Sequence, residues 1–388
     1  MTTGNIFSSC TDDFEKLNTS NIQVDPADLP FAAQCTEPMT YCYPPQQNMF
    51  QFWTNLTIDL YGGYFMTPNG NFTNGDMGEN RGHSGGMYEN YYLHIFNNTR
   101  RIIAQCDASG ERGLSGVMRI VQAYGTLMTT DAYGPIPYSS ILSGENEVYF
   151  EFDSQKDLYK AMLEDLSTAI TDISAMGADE IAKLKSFDCW CNGDKDLWVK
   201  IANTMKLRMA LRLSKRETEA GNAGMNLKAI ATEAAQNTLA TVNKDILIDK
   251  SLENEMWLMF NWGDCGFNAN LVTIMSGTKD PRQPLYMTLN TGDIKNEAGT
   301  TTVAANSQYL GIRFASGLPA KPNSWGNFSG WIQGNNGSSY SMPLPIMKAA
   351  EAYFLLAEAK LRWDIGSESV KHLYENGIPV SIPYELAY

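Results

Sequence analysis

Residues Arg119–Tyr138 read RIVQAYGTLMTTDAYGPIPY, and the fold turns on this stretch. With Val117, the apolar side chains Ile120, Val121, Tyr124, Leu127 and Met128 fall on one face at helical spacing, which predicts a buried helix over Ser115–Thr130. Gly134, Pro135 and Pro137 cannot continue it. Each proline lacks an N–H donor and restricts the residue before it, so the chain must turn sharply after Tyr133. A second stretch, Asp194–Arg212 (DKDLWVKIANTMKLRMALR), carries an apolar stripe of Trp198, Ile201, Ala202, Met205 and Met209. Lys200, Thr204, Arg208 and Arg212 make another face, and Asp194 and Asp196 stand where an N-cap and a first-turn acid belong.

Outward from these two helices the same periodicity recurs. Tyr91–Cys106 places Tyr91, Ile95, Thr99 and Ile102 along one side. Ser154–Met176 opens with Ser154 as N-cap and Asp157 three residues on, and a shorter helix follows at Leu227–Gln236. Met347–Leu361 and Ser367–Asn376 form a last pair, closed by Gly377 at a C-terminal cap. Paired as 91–106 with 115–130, 154–176 with 195–213, and 347–361 with 367–376, these helices keep the tempo of tetratricopeptide-like units, without a strict repeat. Residues 240–345 differ: strand-like runs such as Met256–Phe260 and Tyr309–Phe314 alternate with Gly, Asn and Pro loops. The expectation is a mainly α fold, a tetratricopeptide-like helix-turn-helix scaffold with an irregular, loop-rich insertion carrying short strands at about 240–345. Residues 1–30 read as an N-terminal tether, with ordered structure beginning at Leu56–Tyr64 inside a single domain spanning 31–388.

Composition narrows the function. The 388 residues carry a formal charge of −14, which argues against nucleic acid or anionic lipid as the main partner and suits a neutral ligand. No run of about 18 apolar residues occurs, so no membrane span is expected. The seven cysteines, at 10, 35, 42, 106, 189, 191 and 265, show no zinc-ribbon spacing; Cys35 and Cys42 are close enough to bridge, but mostly unpaired, buried thiols are expected. His83, His94 and His372 lack ligand-spaced neighbours, and HExxH, GxSxG and P-loop motifs are missing. NGDKD at Asn192–Asp196 lacks the ligand periodicity of a calcium loop and reads as a turn and cap. Glu351 and Glu358 share a helix face, as paired carboxylates for glycoside hydrolysis would, but pairing with Arg208 or Arg212 explains them better. No cofactor, metal site or catalytic residue is expected.

The two opening stretches resemble the SusD/RagB family, the glycan-binding outer-membrane lipoproteins of Bacteroidetes. The first is similar to that family's "AY…L…D.YGPIPY" signature. The second is similar to its "GD…W.K.AN.LKLR.ALR" helix through Gly193, Asp194, Trp198, Lys200, Ala202, Asn203, Lys206, Leu207, Arg208, Ala210, Leu211 and Arg212. DPRQPLY at Asp280–Tyr286 and MKAAEAYFLLAEA at Met347–Ala359 agree, in the same order. The resemblance implies a surface lipoprotein that captures oligosaccharide and delivers it to a SusC-like TonB-dependent transporter. In that light Phe7-Ser8-Ser9-Cys10 resembles a relaxed lipobox with Cys10 as the lipidated residue, and MTTG a replaced or mis-started N-terminus. The family runs on past Gly377, so the final IPVSIPYELAY looks like a truncated or frame-shifted tail that leaves the last helix pair uncovered.

The resemblance also places the ligand site in loops outside the scaffold, one early and one in the insertion. A sugar site needs flat rings for the C–H face, with amides and carboxylates at the edges. The early loop, Tyr61–Tyr88, offers Tyr64, Asn69, Asn71, Phe72, Asp76 and Tyr88; the segment 323–340 offers Asn323, Trp325, Asn327, Trp331 and Tyr340. Any of these rings could equally pack under its own loop. Two alternatives stand beside the glycan-binding reading: an all-helical glycoside hydrolase, separable by a hydrolysis assay, and a tetratricopeptide-type protein-binding scaffold, whose groove would be polar or charged and without aromatic platforms.

Overall fold

Arg112–Tyr133 is one continuous helix on which Val117, Ile120, Val121 and Leu127 are buried. It stops at the expected place: Gly134 takes φ 77°, a conformation closed to most side chains, and Ile136–Pro137 leaves as a short strand. The computed structural model describes residues 29–43, 47–69, 72, 78, 80–143, 149–248, 255–295, 298–314, 328–331 and 343–382. In chain order the main helices are α1 (Phe31–Tyr41), α2 (Asn97–Ser109), α3 (Arg112–Tyr133), α4 (Gln155–Ser174), α5 (Ala178–Lys185), α6 (Lys195–Arg212), α7 (Leu227–Ala234), α8 (Glu255–Asn261), α9 (Ala269–Thr278), α10 (Ala349–Trp363) and α11 (Val370–Val380). Two wider, π-type helices lie at Phe50–Asp59 and Tyr91–Phe96, the second running straight into α2.

The fold is mainly α, and the three helix pairs read from the sequence are neighbours in space. α2 packs on α3, α4 on α6, and α10 on α11; the pairs join through α3 against α4 and α6 against α10. The stripe of Tyr91, Ile95, Thr99 and Ile102 is completely buried in the principal core. Caps fall as expected. Ser154 Oγ accepts the Asp157 N–H, and the Asp194 carboxylate accepts from the N–H groups of Asp196 and Leu197.

Helix α6 departs from a simple two-faced helix. Its polar side is covered over most of its length as well as its apolar one, because α3, α4, α7 and α10 all pack on it: Asn203, Thr204 and Lys206 are buried, Lys200 and Arg208 half-buried, and Arg212 exposed. Each polar group on that face therefore has a partner. Lys206, 2% exposed, reaches Glu233 at 2.8 Å, and Thr204 Oγ1 accepts the Leu239 N–H while donating to Lys200 O. Lys200 meets Asn237 and Thr241. Arg208 forms a two-bond fork with Glu351 at 2.6 and 2.6 Å, and Arg212 pairs with Asp131 of the opening stretch. Glu358 instead pairs with Arg362 one turn along α10. Ahead of α6, Asp188 collects the N–H groups of Trp190, Cys191 and Gly193 and the indole N–H of Trp198, fixing the stacked Trp190–Trp198 pair.

Four expectations need correction. Among the described residues, ordered structure is already present ahead of Leu56, in α1 and the Phe50–Asp59 helix; Pro38 inside α1 hides its helical character from propensity. Met256–Phe260 lies in helix α8, an apolar run too short for period to distinguish helix from strand. Tyr309–Phe314 forms no strand and contributes one isolated bridge, Asn268 to Ile312. Gly377 does not cap α11 but lies inside it, where a Cβ would come within 2.7 Å of the Phe354 ring; its service is to let α10 and α11 approach. The described cysteines, Cys35, Cys42, Cys106, Cys189, Cys191 and Cys265, are all free. No helix among the described residues is long and apolar enough to cross a membrane.

The strands are short and pair antiparallel: β1 (Phe65–Met66) with β5 (Gly266–Phe267), β2 (Ile136–Pro137) with β3 (Phe152–Asp153), β4 (Ile246–Ile248) with β8 (Leu344–Met347), and β6 (Ile294–Lys295) with β7 (Thr301–Val303). β4 and β8 bracket the loop-rich region, so its two ends are stitched together beside α10.

Candidate functional site

The early loop grows out of the Phe50–Asp59 helix. Gln51 and Asn55, one turn apart, both face the turn before β5: Gln51 Nε2 donates to Asp264 Oδ2 at 3.0 Å, and Asn55 Nδ2 to Cys265 Sγ at 3.1 Å. The chain then reverses at Gly62–Gly63, with Gly62 N–H on Ile58 O and Tyr64 N–H on Asp59 O. Gly63 sits at φ 73°, which this reversal requires. Tyr64 emerges 53% exposed, and its carbonyl accepts the Asn268 N–H at 3.0 Å. Asn69 closes the arrangement by donating to Asp264 Oδ1 at 2.9 Å. Asp264 thus clamps the helix and the loop to the same turn.

The pairing of β1 with β5 carries the early loop to the insertion. Phe65 lies opposite Phe267, their rings 5.6 Å apart; Phe267 stacks on Trp331 at 5.9 Å, and Trp331 on Tyr286 at 5.9 Å. Trp331 also bridges Met287 through its backbone. Tyr64 and Asn69, far in sequence from Trp331, therefore belong to one locality with it. Trp331 is half-buried within this aromatic cluster. Tyr88 lies elsewhere: it is half-buried against Tyr92 and Tyr133 at the end of α3. Phe72, half-buried, meets His83 edge-on, and His83 in turn stacks on Phe52 at 4.5 Å. Asn71, Asp76, Asn323, Trp325, Asn327, Tyr340 and Cys10 lie outside the described residues.

The opening stretch fastens this locality to the scaffold. The Tyr133 hydroxyl donates to Ser84 O and accepts the Tyr88 N–H, while its ring stacks on Trp53 at 5.6 Å. Asp131 accepts from the Tyr159 hydroxyl at 2.6 Å and pairs with Arg212. The Tyr138 and Ser139 N–H groups both donate to Asp153 of β3.

Two titratable groups lie close by. Burial pushes the Asp59 carboxyl up to about 7 from 3.8 and lowers His83 from its ordinary value, which favours the neutral form of each. Sequence reasoning missed Asp264, Phe267 and Asn268, all at the junction. Only the run DCGFN marks them, and nothing local in it says that two distant loops converge there. Glu351 and Glu358 are already engaged by Arg208 and Arg362, so their carboxylates serve as ion-pair partners on the scaffold.

A family profile, "SusD-like: Susd and RagB outer membrane lipoprotein", matches residues 15–386. Among curated proteins nothing matches. A SusD-like protein from Bacteroides thetaiotaomicron is 26% identical, with TM-score 0.74 over 92% of this chain and 70% of its own. A SusD homologue from Bacteroides vulgatus is 25% identical, with TM-score 0.73 over 92% of this chain and 71% of its own. A chitin-binding SusD homologue from Flavobacterium johnsoniae is 23% identical, with TM-score 0.75 over 92% of this chain and 70% of its own, a likeness of fold. With the profile spanning nearly every residue and the fold matching throughout, the chain belongs to the SusD-like family of outer-membrane lipoproteins.

Proposed function

We propose that this protein binds a neutral oligosaccharide at the cell surface without turning it over and hands it to a SusC-like TonB-dependent transporter, held to the outer membrane by a lipid on Cys10. The observation that carries the binding half is Tyr64. Its ring is half open to solvent, yet its backbone is fixed by Asp59 and Asn268, so it meets a ligand with little ordering left to do. Its link through Phe65 and Phe267 to Trp331 supports one shared site for the early loop and the insertion. The charge of −14 supports a neutral ligand, and a chitin-binding homologue of the same fold points to glycans.

A glycan array followed by calorimetry on the hit tests this reading. Micromolar-to-millimolar affinity without product formation is expected, with Trp325→Ala abolishing binding in a folded protein. Chromatography revealing shortened products would favour the hydrolase instead. In the native host, the protein should fractionate with the outer membrane and co-purify with a transporter. Recovery in the soluble fraction without one would sink the delivery half.

A further inference from the structure

Beside Tyr64 the surface has an unusual floor. Gly62 and Gly63 present two consecutive positions without side chains. A Cβ on Gly62 would lie 2.9 Å from Cδ2 and Cε2 of Tyr64, so the tyrosine ring lies over the Gly62 backbone. A Cβ on Gly63 would lie 3.3 Å from Nδ2 of Asn270, and φ 73° there disfavours any side chain. Adjacent Cα atoms are about 3.8 Å apart, so with the ring packed on Gly62 and the amide on Gly63 the two side chains stand next to one another.

Asn270 is the second residue of α9. Its backbone N–H is taken by Asn268 Oδ1 at 2.9 Å, but its side chain is exposed and its amide makes no hydrogen bond among the described residues. Ile274, one turn further along the same face of α9, is 63% exposed, and Tyr61, next to the glycines in sequence, is 42% exposed. The sequence reading named Tyr64 and passed over Asn270.

We infer that Gly62, Gly63, Tyr64 and Asn270 form a seat for one neutral pyranose unit, with Asn270 as its specificity-determining residue. The inference rests on the glycan-binding reading and deepens it. A pyranose laid with its C–H face on Tyr64 turns its edge hydroxyls toward Asn270. A carboxamide offers both a donor pair and an acceptor, so it reads two neighbouring hydroxyls at once, where a lone hydroxyl or carboxylate would satisfy them only in part. Because no side chain at Gly62 or Gly63 separates the ring from the amide, one sugar unit spans both. An anionic sugar is disfavoured by the acidic balance of the chain.

Calorimetry on the full chain with chitohexaose, cellohexaose and maltohexaose tests the seat, after a glycan array if none of the three binds. Tyr64→Ala and Asn270→Ala should each weaken binding about tenfold or more with unchanged melting temperatures, and Asn270→Gln should recover part of the loss. Thr273→Ala, an exposed change on the same helix, should leave affinity alone. Gly62→Ala should weaken binding by displacing the Tyr64 ring. If Tyr64→Ala weakens binding and Asn270→Ala does not, the seat is refuted while the glycan reading stands. If neither variant matters, the ligand sits elsewhere and the seat is again refuted. If wild-type protein binds nothing on the array, the glycan reading falls and the seat with it.

Discussion

Asp59 gives the most direct test of the site's electrostatics. The residue is half-buried where the Phe50–Asp59 helix meets the Gly62–Gly63 reversal, and desolvation of the carboxyl raises it to about 7 from 3.8. Because the folded value lies above the unfolded one, the folded state holds its proton longer. The stability this confers is fully present below pH 3.8 and is lost progressively as pH rises to about 7, beyond which the penalty is constant. A shift of that size corresponds to about 4 kcal/mol of destabilisation at pH 8 relative to acid, of which roughly 1.5 kcal/mol has already gone by pH 5. Asp59→Asn keeps the shape and removes the ionisation. Its advantage over wild type should therefore grow by about 2 to 3 kcal/mol between pH 5 and pH 8. Urea unfolding at a series of pH values, followed by far-ultraviolet circular dichroism, measures this directly. A pH-independent difference between the two proteins would refute the reasoning, because it would place the carboxylate in contact with water or a cation. The Cys265 thiol, on the turn facing the same helix, is pushed up by burial first and then by the charges of Asp59 and Asp264.

Three further outcomes follow from the geometry. Arg208→Ala strands Glu351; since the glutamate side chain is 37% exposed, part of the cost is relieved by water, and a loss of about 2 kcal/mol is expected rather than the full value for a buried pair. A double-mutant cycle with Glu351→Ala measures it, and a coupling energy near zero would mean that the fork contributes nothing. Gly311→Ala would drive a Cβ to 2.6 Å from the Ala269 backbone, which cannot yield as a side chain would, and should cost about 1 to 3 kcal/mol in thermal or urea unfolding; an unchanged midpoint would show that the seam opens freely. Tyr133→Phe removes the hydroxyl that holds Ser84 and Tyr88, so hydrogen exchange over 84–88 should quicken by an amount corresponding to about 1 kcal/mol, while exchange in α6 stays the same.

The helical scaffold was legible because its information is local. The faces of α3, α4 and α6 repeat within a few residues, and the caps Ser154 of α4 and Asp194 of α6 mark where helices start. The misreadings came where local pattern carries less. Pro38 disguised α1, and five apolar residues of α8 had no length in which a period could show. The polar face of α6 was visible as residues, but its burial was not. That follows from four neighbours packing around one helix, a fact of tertiary arrangement.

The candidate site was legible as a region and hardly at all as residues, for a physical reason. Its geometry is made by contacts between residues up to 213 positions apart: Gln51 to Asp264, Asn69 to Asp264, Tyr64 to Asn268, Phe267 to Trp331. No spacing rule reaches that far. The stretch that announces the family does a different task. In DAYGPIPY, Asp131 binds Tyr159 and Arg212, Tyr133 ties down Ser84 and Tyr88, Gly134 makes the reversal, and Tyr138 docks on Asp153. In the helix that answers it, Arg208 and Arg212 fasten α6 to α10 and α3. Every polar letter of these motifs that the structure explains is a fastener of the scaffold. A signature built from fasteners identifies the frame while leaving the ligand free to vary. The residues that choose the sugar must therefore be sought among exposed side chains that no scaffold contact engages, on the segments the frame holds, which is the condition that Tyr64 and Asn270 meet.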